Sequence, residues 1–263
     1  MNIVYKLSVS TVMAAMLLTG CSNVSPVTSA NSNATVAVSK TAPVPQVGYR
    51  FSDAENFDIV NKDKLSYRNY YSQPSKGVDA TWFDAVKKGD LATVKYMVSN
   101  GQNLEVKDTG NLGQTALGWA AFIGYEDMVD YLVSQGASLY ATDKGDVYNV
   151  LKSAALGKNT NVVKKVYEWL NAKAPVDLND QTQESDGETL IMVSASNNRL
   201  ETVKYLLSKG ANPNLVATTK DTKLGSYNQS AYSYACGRGH VEMQKLLKAN
   251  GAINHRTGKA SCE

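Results

Sequence analysis

Histidine, cysteine and tryptophan are scarce in this chain, with 2, 3 and 3 copies among 263 residues. A metal centre needs several His, Cys or acidic ligands at helical or Cys-x-x-Cys spacing. Cys21, Cys236, Cys262, His240 and His255 do not supply that pattern, so no metal site is expected. No Gly-x-Ser-x-Gly elbow offers a serine nucleophile. Gly157-Lys158-Asn159-Thr160 hints at a phosphate loop, but Lys152 stands where such a loop needs its leading glycine. Asp177 and Asp180 are paired carboxylates in a loop without a positioning scaffold, which reads as a solvated acidic turn. Charge of one sign is also lacking. Lys and Arg number 27 against 24 Asp and Glu, a net +3, which argues against a nucleic-acid partner. These absences point away from an enzyme, a cofactor and a small-molecule substrate.

What is present is a repeat. A 12-residue interval that opens on Gly or Asn and closes on Gly runs Gly89 to Gly101, Gly124 to Gly136, Asn198 to Gly210 and Gly239 to Gly251. Self-similarity at roughly 35 residues signals stacked supersecondary units. Within the intervals, Leu91, Val94, Met97 and Val98, and again Leu200, Val203, Leu206 and Leu207, make one apolar stripe on a helix of about three turns. Ahead of each lies a shorter helix with small residues: Thr115, Leu117, Ala120 and Ala121; Thr189, Ile191, Ser194 and Ala195; Ser230, Tyr232, Ala235 and Cys236. The leading Thr or Ser suits a helix N-cap.

These residues resemble the ankyrin repeat, a β-turn finger followed by two antiparallel helices. The stretch from Gly113 to Leu139 carries the likeness best, and it extends from near Asp79 to His255. The resemblance implies an all-α solenoid of about five helix-turn-helix units over residues 79–256, with a tail at 257–263. The third unit departs from the pattern. Lys173 replaces its closing glycine, and its inter-helix turn, Leu156 to Asn161, reads as about three residues longer than in unit two. Gly118, Met192 and Ser233 stand where the family places a histidine, so hydrogen bonding between repeats is expected to be weaker. His240 belongs to a Gly-His pair that recurs in ankyrin turns, which implies a structural role.

The first 20 residues read as an export signal. Lys6 is followed by a mostly apolar run, Leu7 to Leu18, too short to span a bilayer. Leu18-Thr19-Gly20-Cys21 resembles the lipobox of bacterial lipoproteins, which implies lipid attachment at Cys21. Ser22 at the next position implies the periplasmic side of the outer membrane. Met13 and Met16 lie within the signal; they are apolar filler, or internal starts giving a minor cytosolic form. Residues 21–47 are rich in Ser, Asn, Thr, Val, Ala and Pro and form a disordered tether, spanning on the order of 25–30 Å. Residues 48–78 differ. Ser52 and Glu55 are spaced as a capping box. Phe57, Ile59, Val60, Leu65, Tyr67, Tyr70 and Tyr71 follow, either as a clasp over the end of the first repeat or as an aromatic patch for a partner. Cys236 and Cys262 are either bridged, pinning the tail to the last repeat, or free thiols.

Ankyrin stacks bind with finger tips and first helices. Fingers three and four, Lys173 to Thr189 and Gly210 to Ser230, exceed the family spacing by about four and eight residues, and long loops in a compact array are usually functional or disordered. Finger three is acidic, with Asp177, Asp180, Glu184, Asp186 and Glu188; finger four carries Lys220, Lys223 and Tyr227. On the first helix of unit two, Trp119, Phe122 and Ile123 are apolar where a soluble monomer places polar groups. They form a contact face, or the turn of unit three covers them. Lipoproteins of this layout resemble immunity proteins encoded beside type VI secretion lipase effectors. The resemblance implies a lipid-anchored protein that captures and occludes an incoming phospholipase. A scaffold, assembly or stress-protection factor of the cell envelope is the alternative.

Overall fold

The structure, a computed structural model, describes residues 41–263 apart from Asp146. The expected signal peptide, its internal methionines, Cys21 and most of the tether lie outside the described residues. The described chain is helical, with only two isolated β-bridges, Val216 to Ser230 and Asn254 to Lys259. An N-terminal segment carries α1 (Asp53–Val60), α2 (Lys62–Leu65) and a 3-10 turn (Ser66–Arg68). Five helical hairpins follow: α3 (Ala80–Lys88) with α4 (Leu91–Ser99), α5 (Ala116–Ile123) with α6 (Glu126–Ser134), α7 (Val150–Leu156) with α8 (Thr160–Lys173), α9 (Leu190–Ser196) with α10 (Leu200–Ser208), and α11 (Ala231–Gly237) with α12 (Val241–Ala249). The first helices stack in chain order as an inner layer, and each packs its own second helix behind it.

Local chemistry explains these elements. The hydroxyls of Thr115 and Ser230 and the Asn149 amide oxygen accept from backbone N–H groups in the first turns of α5, α11 and α7. Thr189, at the same position in unit four, makes no such bond, and its hydroxyl is buried without a partner. The closing glycines Gly101, Gly136, Gly210 and Gly251 all take left-handed φ between 78° and 94°, which lets the chain leave each outer helix sharply. Unit three lacks that glycine, and α8 runs on for 14 residues. It stops at Ala174, which is extended because Pro175 follows. The turn between α7 and α8 covers residues 157–159, one residue more than residues 124–125 between α5 and α6. The expected excess of three is not seen, because α8 starts at Thr160.

The core is one continuous layer between inner and outer helices. Val94, Val129, Leu132, Val163, Val166, Val203, Leu206, Met243 and Leu247 are fully buried in it. Ala120, Ala121, Ala154, Ala155, Ala195 and Ala235 keep the helices close. The missing family histidine does not leave unit two unbonded. Gln114 folds its side chain over Gly118 and donates to Ser153 Oγ and Asp143 Oδ2, both at 2.9 Å, in unit three. A Cβ on Gly118 would lie 1.9 Å from Gln114 Oε1, so the glycine makes room for this bridge. At the far end Cys236 and Cys262 form a disulfide with Cα atoms 5.3 Å apart, which ties the C-terminal tail to α11.

Candidate functional site

The N-terminal segment does not clasp the end of the first repeat. It runs out over the array from unit one to unit four and returns. On the outward limb, Gln46 donates to Asp90 Oδ2 and Lys88 O at 2.8 and 3.1 Å. Arg50 donates to Gly89 O at 2.5 Å and pairs with Asp127 at 2.7 Å, and Phe51 stacks on Tyr125 at 5.0 Å. Further on, Arg199 of unit four donates to Asp58 O and Ile59 O in α1, at 3.2 and 2.7 Å, and to Leu156 O at 3.1 Å. Burial lowers the Arg199 pKa to about 10, and the three carbonyls satisfy its guanidinium. Lys158 pairs with Asp58, and Asn61 donates to Asn197 Oδ1 at 3.2 Å.

The return limb crosses the inner helices themselves. The Lys64 ammonium bonds Ser196 Oγ and sits 4.4 Å above the Tyr234 ring. Leu65 is buried, and with Leu156 and Val193 it lines a small cavity. Arg68 is buried completely. Its guanidinium pairs with both Asp143 oxygens, at 2.8 and 3.3 Å, and donates to Gly145 O at 2.5 Å. Tyr70 lies 6.4 Å from the Phe122 ring and 6.5 Å from that of Trp119, and its hydroxyl bonds Asn56 Oδ1, which joins the two limbs. Ser75 N then donates to Asp84 Oδ1 at 2.7 Å, and Lys87 Nζ to Ser75 Oγ at 2.9 Å, back in unit one.

This path overturns one expectation. Trp119, Phe122 and Ile123 are not an exposed contact face; all three are fully buried. The aromatic cluster of residues 48–78 is the cover: Tyr70 packs on Trp119 and Phe122, and Arg68 lies 5.8 Å over the Phe122 ring. The indole N–H of Trp119 is also engaged, donating to Asp108 Oδ2 at 3.0 Å, beside the buried Lys87–Asp108 pair. Ile123 meets only the floor of a cleft of about 810 Å³, which opens between α1 and the outer helices α8 and α10.

The acidic finger divides in two. Asp177 is exposed and Asp180 half-exposed, each capping its own turn. Glu184, Asp186 and Glu188 turn inward, with carboxylate oxygens within 4.8 Å of one another. Lys152 pairs with Glu184, and the Tyr234 hydroxyl bonds Glu188. Lys64 and Lys152 thus bring two positive charges to three carboxylates. Burial, with its acidic neighbours against it, raises Glu184 to about 7, and burial raises Glu188 as well. Burial lowers Lys64 to about 8. Lys220 and Tyr227 of finger four are exposed, as is Leu224. Fingers three and four are bound together: Gln181 donates to Gly187 O and Val216 O at 2.8 and 2.7 Å, and Thr218 N donates to Asp186 O at 2.8 Å. A Cβ on Gly187 would lie 2.2 Å from Thr218 Oγ1, so this close approach requires glycine.

The family model for ankyrin repeats in three copies matches residues 82–180 and 151–258. The chain belongs to the ankyrin-repeat family. Curated relatives include an ankyrin repeat and KH domain-containing protein, mask-1, of Caenorhabditis elegans. It is 27% identical over 181 residues, 69% of this chain and 6% of that protein. An L-asparaginase of Dirofilaria immitis is 27% identical over 155 residues, 49% of this chain and 26% of that protein. A palmitoyltransferase AKR1 of Lachancea kluyveri is 28% identical over 196 residues, 74% of this chain and 24% of that protein. The chain therefore spans about a quarter or less of the length of these relatives. Ankyrin repeats are protein-interaction modules that generally do no chemistry, and the family implies protein binding for this chain.

The sequence does not reveal the buried ion pairs on the inner face. Arg68 sits in a tyrosine-rich stretch and reads as a surface charge. Arg199 follows Asn198 where units two and five have Tyr125 and His240, and a long cation at that turn position is its one visible signal.

Proposed function

We propose that the chain is a membrane-tethered, protein-binding lipoprotein of the bacterial periplasm, acting as an immunity protein against a type VI secretion lipase effector. Cys21 carries the lipid, at the end of Leu18-Thr19-Gly20-Cys21. The Cys236–Cys262 bridge supports an oxidising compartment. The effector docks on the finger edge of units three to five, through Asp177, Asp180, Lys220 and Tyr227. Because the inner face is already filled by residues 46–76, the fingers are the exposed part of the surface that ankyrin stacks use. That observation carries the choice of edge. Binding occludes the lipase and needs no reactive group of this chain.

The test is a competition assay. A strain lacking the gene should be killed by sibling attackers that the parent resists, and equal survival of the two strains rejects immunity. In the same assay Cys21→Ser should move the protein from the membrane to the soluble fraction. Asp177→Lys with Lys220→Glu should restore killing without lowering the melting temperature. Survival with that double variant moves the contact away from the fingers.

A further inference from the structure

The inner face of an ankyrin array is here occupied by the chain's own peptide, and that peptide shows what the face selects. From the return limb, four side chains enter it in the order Lys64, Leu65, Arg68 and Tyr70. Each meets a distinct partner set. Lys64 is received by Ser196 and the Tyr234 ring, with Arg238, Glu188 and Asp186 nearby. Leu65 is buried and lines a small cavity together with Leu156 and Val193. Arg68 is clamped by Asp143 and Gly145 O. Tyr70 packs edge-on against Phe122. These receiving groups come from units two to five, so the site belongs to the array and not to the peptide.

Without that peptide the face is acidic. Asp143, Glu184, Asp186 and Glu188 stand on it against two positive charges, Lys152 and Arg238. Lys64 and Arg68 supply the missing positive charge, and such complementarity selects partners as well as register. Asp143 is held ready independently of Arg68, because it accepts from Gln114 Nε2 at 2.9 Å, Gly145 N at 2.7 Å and Val147 N at 3.3 Å. The peptide has little structure of its own, only the four residues of α2 and the three of the 3-10 turn. It leaves the face through residues 72–78, which are almost entirely exposed.

We infer that the inner face of units two to five is a peptide-binding groove for basic–aromatic segments with the spacing Lys-Leu-x-x-Arg-x-Tyr. Residues 64–70 are its resident ligand in cis, and a partner polypeptide of the same chemistry exchanges with them. This goes beyond the finger-edge reading and stands without it, because it concerns a different surface and needs neither membrane nor effector.

The test uses the whole chain and a fluorescent peptide of residues 62–73. In the Arg68→Ala chain the resident segment is weakened while Asp143 keeps its other donors. The peptide should bind this variant at least about 10-fold more tightly than the unaltered chain, where the tethered segment competes at an effective concentration of about millimolar. A peptide with Ala in place of Arg68 should lose about 100-fold, as expected for removing one member of a buried charge pair. An acidic peptide of equal length should not bind. Equal binding of the acidic peptide overturns the inference, as does no binding to a variant that melts cooperatively. Should Arg68→Ala not fold, Lys64→Gln takes its place with the same expectation. The unaltered chain gives an independent readout. Peptide at about millimolar concentration should speed amide exchange in residues 46–76 and leave α3 to α12 unchanged; no acceleration overturns the inference.

Discussion

Replacing Arg68 by alanine tests whether the segment over the inner face is held by buried charge. The substitution removes two contacts to Asp143, at 2.8 and 3.3 Å, and one to Gly145 O, and leaves a carboxylate that is completely buried. Removing one partner of a buried ion pair costs about 3–5 kcal/mol. Asp143 keeps donors from Gln114, Gly145 and Val147, so the loss should fall near the lower end, about 3 kcal/mol. In a chain of this size each kcal/mol moves the melting temperature by about 2–4 °C, so a fall of about 6–12 °C is expected. Thermal unfolding followed by far-UV circular dichroism gives the total, and hydrogen exchange gives the location: residues 46–76 should exchange faster while α9 to α12 keep their protection. Arg68→Lys keeps the charge but loses the forked geometry, and should fall between the two. The coupling is isolated by a double-mutant cycle with Asp143→Asn, which should return at least about 1.5 kcal/mol. A melting shift under about 2 °C, or unchanged exchange in residues 46–76, refutes the reasoning.

Phe122→Ala should cost about 3–5 kcal/mol in chemical denaturation, because the ring is buried against Tyr70 and Trp119 and its loss leaves a cavity. Cys262→Ser opens a bridge that spans 26 positions; it should cost up to about 3 kcal/mol and make the tail the first site of proteolysis. Glu184 in the fold keeps its proton up to about pH 7, against an ordinary value of 4.5, so the folded state binds more protons between them. Its contribution to stability is complete below 4.5 and is lost as pH rises through 7; Glu184→Gln should flatten the melting curve against pH in that window. Lys64 has the opposite sign. Its folded value is lowered from 10.5 to about 8, so its contribution is present above 10.5 and lost as pH falls through 8, and Lys64→Met should flatten that window instead.

The array itself was legible because its signals are local and periodic. The stripe of Val94, Val203 and Leu206, the capping residues Thr115 and Ser230 and the closing glycines each act within one helix or turn. Ser52 and Glu55 likewise form the capping box that their spacing predicts. What was not legible depends on distant partners. Arg68 meets Asp143 across 75 positions, and Arg199 meets Ile59 across 140. No spacing rule links them. The apolar run Trp119, Phe122 and Ile123 is unusual for a solvent-facing helix end, and the cover of its two rings is Tyr70, about 50 positions away, which no local pattern indicates. The third finger reads in sequence as one acidic stretch. In the fold it splits, since Glu184 and Glu188 are drawn inward by Lys152 and Tyr234 while Asp177 stays in solvent.

The central claim is that residues 46–76 run over the array well beyond its first unit. Zero-length carbodiimide coupling of the monomeric chain, followed by peptide mass spectrometry, tests it directly. The account predicts an isopeptide between Lys158 and Asp58, which stand 100 positions apart and pair in the fold, alongside the Lys165–Asp130 link between outer helices. Recovery of the Lys165–Asp130 link with none between Lys158 and Asp58 contradicts it.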